Sequence, residues 1–379
     1  MSTLRVKMAV KYLVVGAGLF GSVAARQLAE RGHSVLMVDR RGHLGGNCYS
    51  EKVQGIDVHR YGPHIFHTNN LRVWKFVNQF VEFNNYRHRG VVQSGDRLFS
   101  FPINLQTLHD LWGVRTPAEA QQKLAAQRVV CPDPQNLEEW ALSQVGPELY
   151  ETFIRGYTMK QWGRDPRELS AAVLRRIPIR LTWDDSYFDD TYQGIPVGGY
   201  TRMFENMLDH PRIELELGVD FLEHRQELES QAPRILYSGM IDQFFDFRFG
   251  ALEYRSLRFE TETLAGDYQG AAIVNSADAQ VPYTRIVEHK HFARTKSDST
   301  VITREYPLAY RPGGEAFYPI STERNEKLLE RYKTLAAHQA PHVMFGGRLG
   351  AYRYFDMHQV IAQALSCVDR ELGLTRRAA

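Results

Sequence analysis

The sequence predicts an α/β protein in which a discontinuous Rossmann-like nucleotide-binding domain is joined to a mainly helical domain and to an antiparallel sheet domain. Three observations lead to this prediction. A glycine-rich strand–turn–helix pattern lies near the N-terminus, and a second glycine-rich turn precedes a helical pattern near the C-terminus. Between them, helical periodicity gives way to alternating strand patterns. With 379 residues, the chain can form two or three domains.

Composition narrows the possible classes of function. Hydrophobic residues make up 43% of the chain and charged residues 24%, which is ordinary for a soluble globular protein. A formal net charge of +2 provides no global basic field for nucleic acid. The three cysteines are far apart and form no CxxC pair, which favours a reducing compartment. Because no segment has the pattern of a signal peptide or a membrane span, we expect a cytoplasmic protein without nucleic-acid or membrane partners.

The first nucleotide-binding signature is GAGLFG, which follows an apolar segment at residues 10–15 and precedes the helical pattern SVAARQLAERG. Gly16 permits a tight turn, Gly18 lets a pyrophosphate approach the backbone, and Gly21 lets the helix pack closely on the strand. The helix N-terminus would direct N–H groups at the phosphates. A second strand, SVLMVD, ends at Asp39, where a carboxylate can accept ribose hydroxyls. This context predicts an adenine dinucleotide site.

The sequence that follows favours FAD over NAD. RRGHLGGN resembles the extended fingerprint of the glutathione-reductase and amine-oxidase class of flavoproteins, and GRLGAYRYFDMHQVIAQAL resembles the second FAD segment of that class. ELGVDFLEH is the expected middle strand that touches adenine. The residues predicted to bind FAD on this basis are Gly16, Gly18, Phe20, Gly21, Asp39, Arg40, Gly46, Asn47, Val219, Asp220, Gly346, Gly347, Arg348, Asp356 and Met357.

The middle of the chain begins with helical patterns over residues 71–161, where TPAEA and NLEEWALSQVG carry capping signals. PELYETFIRGYTMKQWG places an aromatic stripe on one helix face. Such a stripe is core more often than ligand site, so we expect Tyr150 and Phe153 to be core residues. Tyr157 and Trp162 come at the helix end, where they can face a cleft.

The next segment, residues 163–196, combines arginines with aromatic side chains such as Tyr187 and Phe188. A charge run is usually a solvated face. Guanidinium groups beside rings nevertheless suit a nucleotide, because the cations bind phosphate and the ring faces bind base and sugar. Residues 247–330 then alternate as strands, which predicts a mainly antiparallel sheet.

Two histidines, His64 and His67, lie in RYGPHIFHT at residues 60–68. Pro63 argues against a helix that would align them, and no second ligand pair follows at a spacing typical of zinc sites. We therefore predict no metal site.

Taken together, the motifs resemble the bacterial UDP-galactopyranose mutase family along nearly the whole chain. The resemblance rests on YGPHIFHT, YTMKQWG, DDSYFDDTYQGIP, YTRIVEHKHF and GRLGAYRYFDMHQVI, most of which lie outside the common FAD fingerprint. It implies an isomerase that interconverts UDP-galactopyranose and UDP-galactofuranose without net redox change, by attack of reduced FAD N5 on sugar C1.

The resemblance also implies a division into three domains, with a six-stranded antiparallel sheet in the third. The FAD-binding domain would comprise residues 8–70, 195–245 and 335–379. A helical bundle would comprise residues 71–170, and a mobile loop with the antiparallel sheet would comprise residues 171–194 and 246–334.

Site residues follow from the same resemblance. Arg285 and Arg176 are expected to neutralise the diphosphate leaving group, and Arg180 is a rival of Arg176 for that role. His64 is expected beside flavin N5 and the sugar, as both a catalytic and an FAD-binding residue, and His67 in the same flavin pocket. The predicted substrate-binding residues are Tyr157, Trp162, Arg180, Tyr187, Asn275, Tyr318 and Tyr354.

Finally, the resemblance implies a homodimer or higher homo-oligomer, an external reductant such as NAD(P)H, and a product used in cell wall glycan. Two other functions remain open from the residues. One is an FAD-dependent oxidoreductase of the amine-oxidase class, and the other is a non-catalytic nucleotide-sensing module. The combination of arginines and aromatic residues suits an anionic nucleotide sugar better than an amine.

Overall fold

A computed structural model describes residues 10–171 and 179–374. The strands are β1 Tyr12–Val15, β2 Val35–Asp39, β3 Ser50–Val53, β4 Ile56–His59, β5 Phe66–Thr68, β6 Gly90–Ser94, β7 Arg97–Phe101, β8 Tyr192–Gly194, β9 Ile213–Leu217, β10 Arg234–Tyr237, β11 Tyr254–Ala265, β12 Ile273–Ser276, β13 Arg285–Glu288, β14 Ser299–Ala309, β15 Tyr318–Pro319 and β16 Val343–Phe345. The α-helices are α1 Leu19–Glu30, α2 Leu71–Val77, α3 Leu105–Trp112, α4 Pro117–Gln127, α5 Leu137–Leu149, α6 Gly156–Trp162, α7 Tyr200–Leu208, α8 Arg225–Gln231, α9 Ile241–Phe244, α10 Lys290–Ala293, α11 Glu323–Gln339, α12 Gly347–Gly350 and α13 Met357–Glu371.

The nucleotide-binding part is a parallel sheet in the order β16-β10-β1-β2-β9. Its central strands are continuously apolar because helices and loops cover both faces. On one face, Val14 packs in a cluster with Ile361 of α13, and α1 and α7 join the same cluster. On the other face, Leu13 packs in a cluster with Phe244. The strands come from three separated parts of the chain, so the prediction of a discontinuous Rossmann-like domain is confirmed.

A larger mixed sheet has the order β15-β11-β14-β13-β12-β6-β7, which gives seven strands within the described residues instead of the expected six. Two of the seven strands, β6 and β7, form a hairpin at residues 90–101, inside the segment expected to be helical. The hairpin turns at Gly95, whose φ is +61°. Side chains along its strands alternate between the two faces of the sheet, so Val92 and Phe99 are buried while Leu98 is exposed. The sheet is antiparallel except at β12–β6, which pair in parallel.

The helical part follows its capping signals. The Thr116 hydroxyl accepts from the N3 amide of α4, and the Asn136 side chain does the same for α5. Gly146, at φ +78°, breaks the helical path where the pattern predicted an end. Tyr150 and Phe153 lie in the core of this region, as expected.

Two short strand pairs fix the position of residues 60–68, the segment that contains His64 and His67. β3 and β4 form a hairpin that ends at His59, and β5 pairs antiparallel with β8. Residues 60–68 are therefore fixed at both ends, on one side by β4 and on the other by the strand that follows residues 186–191. None of the helices in the described ranges has both the length and the apolar character required to cross a bilayer.

Buried histidines predict how the stability of the fold depends on pH. His88 and His289 are 4% and 1% exposed, and burial lowers their pKa values from 6.5 to about 4 and about 3. Between pH 6.5 and pH 4 the unfolded chain therefore binds more protons than the folded chain, and stability falls as the pH falls. Each histidine should lower the free energy of unfolding by about 2 kcal/mol between pH 7 and pH 5.

Urea unfolding at pH 7, 6 and 5 measures this dependence. The His88→Gln variant lacks one of the buried histidines, so its free energy of unfolding should fall less steeply than that of the wild type. Equal slopes for the two proteins would contradict the assignment for His88.

Candidate functional site

The turn between β1 and α1 forms the floor of a cleft. A Cβ on Gly21 would collide with the carbonyl oxygen of Gly16, so glycine is required for the close approach of helix and strand. Gly18 differs from these two residues. Its backbone is extended, with φ −82°, and the nearest atom to a Cβ there is Gly46 Cα at 3.8 Å. Among the described residues no atom lies closer than this to a Cβ at Gly18, which leaves that space for a ligand.

Asp39 organises this turn. Its Oδ2 accepts from the Ala17 N–H at 2.7 Å and its Oδ1 accepts from the Arg41 N–H at 2.8 Å. The residue is 9% exposed and lines the cleft. A carboxylate oxygen has a second acceptor position, so the expected bonds to ribose hydroxyls are compatible with these contacts.

The cleft unites the N-terminal glycine turn with the C-terminal segment. The predicted FAD-binding residues that line it are Gly16, Gly18, Phe20, Asp39, Arg40, Gly46, Asn47, His64, Val219, Asp220, Gly347, Arg348 and Met357. The remaining three lie behind this lining. Gly21 packs α1 on β1, Gly346 packs against the ring of Phe20, and Asp356 begins α13 as its N-cap. This lining fits an FAD molecule. Helix N-termini and the open space at Gly18 suit its pyrophosphate, and the buried Asp39 suits its ribose.

One wall of the cleft was not predicted. The Arg41 guanidinium lies 2.5 Å from the Glu315 carboxylate and 3.1 Å from Asn47 Oδ1, and it covers the Tyr61 ring at 4.4 Å. Burial alone would raise the pKa of Glu315, but the hydrogen bond and charge of Arg41 hold it below its usual 4.5. The adjacent arginines in VDRRG indicate a charged cluster, but the sequence does not reveal their partner, Glu315, because it is distant in the chain.

A buried cation marks the second part of the site. Arg285 begins β13, and the sheet register places it opposite Asn275 on β12 and Glu305 on β14. Its guanidinium donates to the Tyr157 hydroxyl and lies 3.6 Å from a Glu305 oxygen. Burial opposes the charge, but Glu305 and Tyr157 keep the pKa of Arg285 well above its usual value. Sequence reasoning missed Glu305, which is 1% exposed and whose pKa is raised by burial.

An aromatic group joins the two parts. The Tyr318 and Tyr354 rings stack at 5.4 Å, and Trp162 lies 6.3 Å from Tyr354. The Arg348 guanidinium, which also lines the cleft, lies 5.3 and 5.2 Å from these tyrosine rings. Burial raises the pKa values of Tyr157 and Tyr318, so both phenols are neutral hydrogen-bond donors at neutral pH.

The other predicted substrate residues have partners within the protein. The amide nitrogen of Asn275 donates to the Val91 carbonyl at 3.3 Å. The Tyr187 ring lies 5.1 Å from the ring of His88. Arg180 is paired with Asp189 at 2.5 Å, so its guanidinium is engaged within its own segment. Arg176 lies outside the described residues.

The two predicted flavin-pocket histidines differ in position. His64 lines the cleft, and its Nδ1 lies 2.9 Å from the Gly62 carbonyl oxygen. Burial lowers the pKa of His64 to about 4, so the imidazole is neutral at pH 7. Because a carbonyl only accepts, Nδ1 carries the proton and Nε2 carries a lone pair.

His67 does not line the cleft, and its expected place in the flavin pocket stays a prediction. Its Nδ1 lies 2.7 Å from Asp190, and its ring stacks on Phe188 at 3.8 Å. The reason is chain geometry, since residues an odd number apart along an extended segment point to opposite sides.

One group of possible metal ligands occurs in the described part of the chain, formed by Asp267, Glu288 and His291. Glu288 already accepts three backbone N–H bonds, and the Lys290 ammonium lies 2.7 Å from Asp267. This group is an ion-pair network, and it is not part of the cleft lining.

Comparisons with known proteins agree with this geometry. The profile of the UDP-galactopyranose mutase family matches residues 152–354, and that of NAD(P)-binding Rossmann-like domains matches residues 14–80. A Klebsiella pneumoniae protein named probable UDP-galactopyranose mutase is 43% identical over 368 residues, covering 95% of this chain and 94% of the relative. An Escherichia coli dTDP-fucopyranose mutase is 40% identical over 370 residues, covering 95% and 97%. A crystal structure of reduced UDP-galactopyranose mutase has the same fold, with a TM-score of 0.77 at 16% identity over 97% and 96% of the two chains.

The open space at Gly18 leads to a prediction. The Gly18→Val variant should lower the affinity for FAD at least about tenfold, because the new side chain occupies space that the pyrophosphate needs. The apoprotein should fold normally, since a Cβ there meets only Gly46 Cα at 3.8 Å. Titration of apoprotein with FAD, followed by flavin fluorescence, measures the affinity.

The matched control is Gly42→Val, because a Cβ at Gly42 meets no atom of the described residues within 4 Å. That variant should bind FAD like the wild type. Equal FAD affinity in the Gly18 variant would show that the cofactor does not approach this turn.

Proposed function

Because the chain belongs to the UDP-galactopyranose mutase family, we propose that it is an isomerase that interconverts UDP-galactopyranose and UDP-galactofuranose. FAD is its cofactor. The observation that carries the proposal is the junction at Arg348. This residue lines the cofactor cleft and also lies beside the Tyr318 and Tyr354 rings, so a nucleotide sugar held by the aromatic group would reach the flavin.

When bound and reduced, FAD supplies the nucleophile for the sugar's anomeric carbon. The protein residues then have two tasks, to stabilise the departing diphosphate and to control protons at the sugar. We assign the first task to Arg285, whose guanidinium is held in a low-dielectric site by Glu305 and Tyr157. The neutral phenol of Tyr318 can donate a hydrogen bond to phosphate oxygens without adding negative charge.

The second task falls to His64. Its Nδ1–H donates to the Gly62 carbonyl, so Nε2, which carries a lone pair, is the ring nitrogen available to the site. We propose that Nε2 accepts a hydrogen bond from a hydroxyl of the reacting groups. Donation from Nε2 would require a protonated ring, which burial disfavours at neutral pH.

The remaining expected roles stay proposals. Trp162 and Tyr157 are assigned to uridine, and Tyr187, Tyr354 and Asn275 to the rest of the ligand. Arg180 is paired with Asp189, which supports Arg176 as the lid arginine, although Arg176 lies outside the described residues. An external reductant such as NAD(P)H, a cytoplasmic location, a homodimer and a role in cell wall glycan synthesis are proposed from the family alone.

A second substrate deserves a parallel test, because the dTDP-fucopyranose mutase from Escherichia coli is 40% identical to this chain. A dTDP-6-deoxy sugar would use the same phosphate and flavin sites. It differs from UDP-galactofuranose in the methyl group on the base, in the missing 2′-hydroxyl of the ribose and in the missing 6-hydroxyl of the hexose.

Product analysis tests the proposed function. Purified protein with bound FAD would be incubated with UDP-galactofuranose, with or without dithionite, and the nucleotide sugars separated by chromatography. We expect UDP-galactopyranose only in the reduced sample. A parallel reaction with dTDP-fucofuranose should give a kcat/KM at least about tenfold lower. Conversion of dTDP-fucofuranose alone would establish the second substrate, and no conversion of either would reject the mutase function.

A substitution that removes the charge of Arg285 tests the role assigned to this residue. Arg285→Met should lower kcat/KM at least about 100-fold, because it removes the cation that faces the diphosphate. The loss of Arg285 leaves the Glu305 carboxylate buried without its partner, so Arg285→Met is also made together with Glu305→Gln.

The control for this prediction is Arg258→Met. Arg258 covers the Tyr306 ring at 4.0 Å on an exposed part of β11, and its variant should retain wild-type kcat/KM. Similar kcat/KM values for the Arg285 and Arg258 variants would contradict the role of Arg285.

A further inference from the structure

Three histidines form a continuous chain of contacts behind the cleft. The His64 N–H donates to His59 Nδ1 at 3.1 Å, and the His59 N–H donates to His289 Nδ1 at 3.3 Å. His289 Nε2 lies 2.8 Å from the Thr303 hydroxyl. We call His59, His64 and His289 the histidine chain. It connects the cleft wall to strand β14 of the large sheet, and the proposed reaction uses only its first member.

Backbone partners determine the tautomer of each ring. A backbone N–H can only donate, so Nδ1 of His59 and of His289 must be unprotonated, and the proton of each neutral ring is on Nε2. His289 therefore donates from Nε2 to Thr303. His64 has the opposite tautomer, because its Nδ1 donates to the Gly62 carbonyl. Burial lowers the pKa values of all three histidines, which keeps the rings neutral.

Packing holds His59 in this arrangement. Its ring stacks on Phe292, with centroids 4.9 Å apart and an interplanar angle of 8°, and it meets the Tyr200 ring edge at 5.5 Å. The Tyr200 hydroxyl donates to the His64 carbonyl at 3.2 Å. Both backbone polar groups of His64 are thus held by buried side chains.

The segment between His59 and His64 needs such support. Gly62 has φ +91°, a backbone conformation in the left-handed region that favours glycine. Its carbonyl is the acceptor that orients the His64 ring. A shift of this peptide would turn the His64 lone pair away from the cleft.

We propose that His59 and His289 are positioning residues for the reaction, which fix the 60–64 segment so that the unprotonated Nε2 of His64 faces the cleft. The proposal rests on the proposed function, because it assumes that His64 acts at the reacting groups. The histidine chain does not conduct protons, since two of its links are backbone amides. It acts by orientation alone.

The decisive experiment is a double-mutant cycle on the FAD-loaded, reduced enzyme. His59→Leu removes the acceptor for the His64 N–H and should lower kcat about 10- to 100-fold, with KM changed less than about twofold. His59→Asn keeps an acceptor oxygen close to the Nδ1 position and should restore kcat to within about fivefold of the wild type.

In the His64→Ala background, the further loss caused by His59→Leu should be less than about twofold, because the group that it positions is absent. A merely structural role would give the same loss in both backgrounds. Equal losses, or an Asn variant no more active than the Leu variant, would overturn the proposal.

Histidine 15N NMR separates this proposal from the proposed function. In the wild type we expect the Nδ1–H tautomer for His64 and the Nε2–H tautomer for His59 and His289, and we expect His59→Leu to lose the single tautomer of His64. If the reduced wild type converted no substrate, the mutase function would fail. A His64 tautomer unaffected by His59→Leu would overturn the positioning role.

A second pair of variants covers the case in which His59→Leu does not fold. Thr303→Val removes the acceptor of His289 Nε2–H and should lower kcat about three- to tenfold. Thr261→Val is the matched control. The Thr261 hydroxyl lies 2.9 Å from that of Thr303, and Thr261 is exposed on β11, so its removal leaves the contacts among His59, His64, His289 and Thr303 in place. If Thr303→Val and Thr261→Val had the same kcat, His289 would have no positioning role.

Discussion

The carboxylate of Asp39 connects the two backbone segments on which the cofactor cleft is built. A buried carboxylate is stable only when donors replace the water that it loses, and here those donors are the N–H groups of Ala17 and Arg41. The Gly45 N–H in turn donates to the Ala17 carbonyl at 2.9 Å. These bonds bring the second glycine turn to within contact of Gly18, and the cleft floor between α1 and β2 depends on them.

The nucleotide-sugar part depends on a different constraint, which is the charge balance around Arg285. Its guanidinium is surrounded by side chains that are neutral at pH 7, apart from the carboxylate of Glu305. An approaching diphosphate therefore meets the Arg285 cation beside neutral donors. Because the site excludes much of the solvent, that buried charge has a larger effect on a developing anion than it would have in water.

Neutral imidazoles have a comparable role on the flavin side. His59, His64 and His289 are all held uncharged by burial, so they add no positive charge that would compete with Arg285 for the phosphates. Their polarity is instead used locally, because each ring nitrogen that faces a backbone group has a fixed role as donor or acceptor. The large sheet and the cofactor cleft are connected through these contacts, which couples the position of His64 to the packing of β14.

The sequence by itself determined the Rossmann-like half, the helix ends and the two flavin segments, because turns, caps and glycine approaches depend on residues close together in the chain. It also led to the proposed roles of Arg285 and His64 through family resemblance. Only the tertiary structure decided the partners of these residues. Glu305 faces Arg285 through strand register, and His289, which follows β13 of the large sheet, reaches His59 at the end of β4. The hairpin at residues 90–101 joins a sheet whose other strands begin only at Tyr254. His67 lies outside the cleft lining for the same kind of reason. Strand register and side-chain direction depend on which distant segments pair, and local sequence patterns do not specify that pairing.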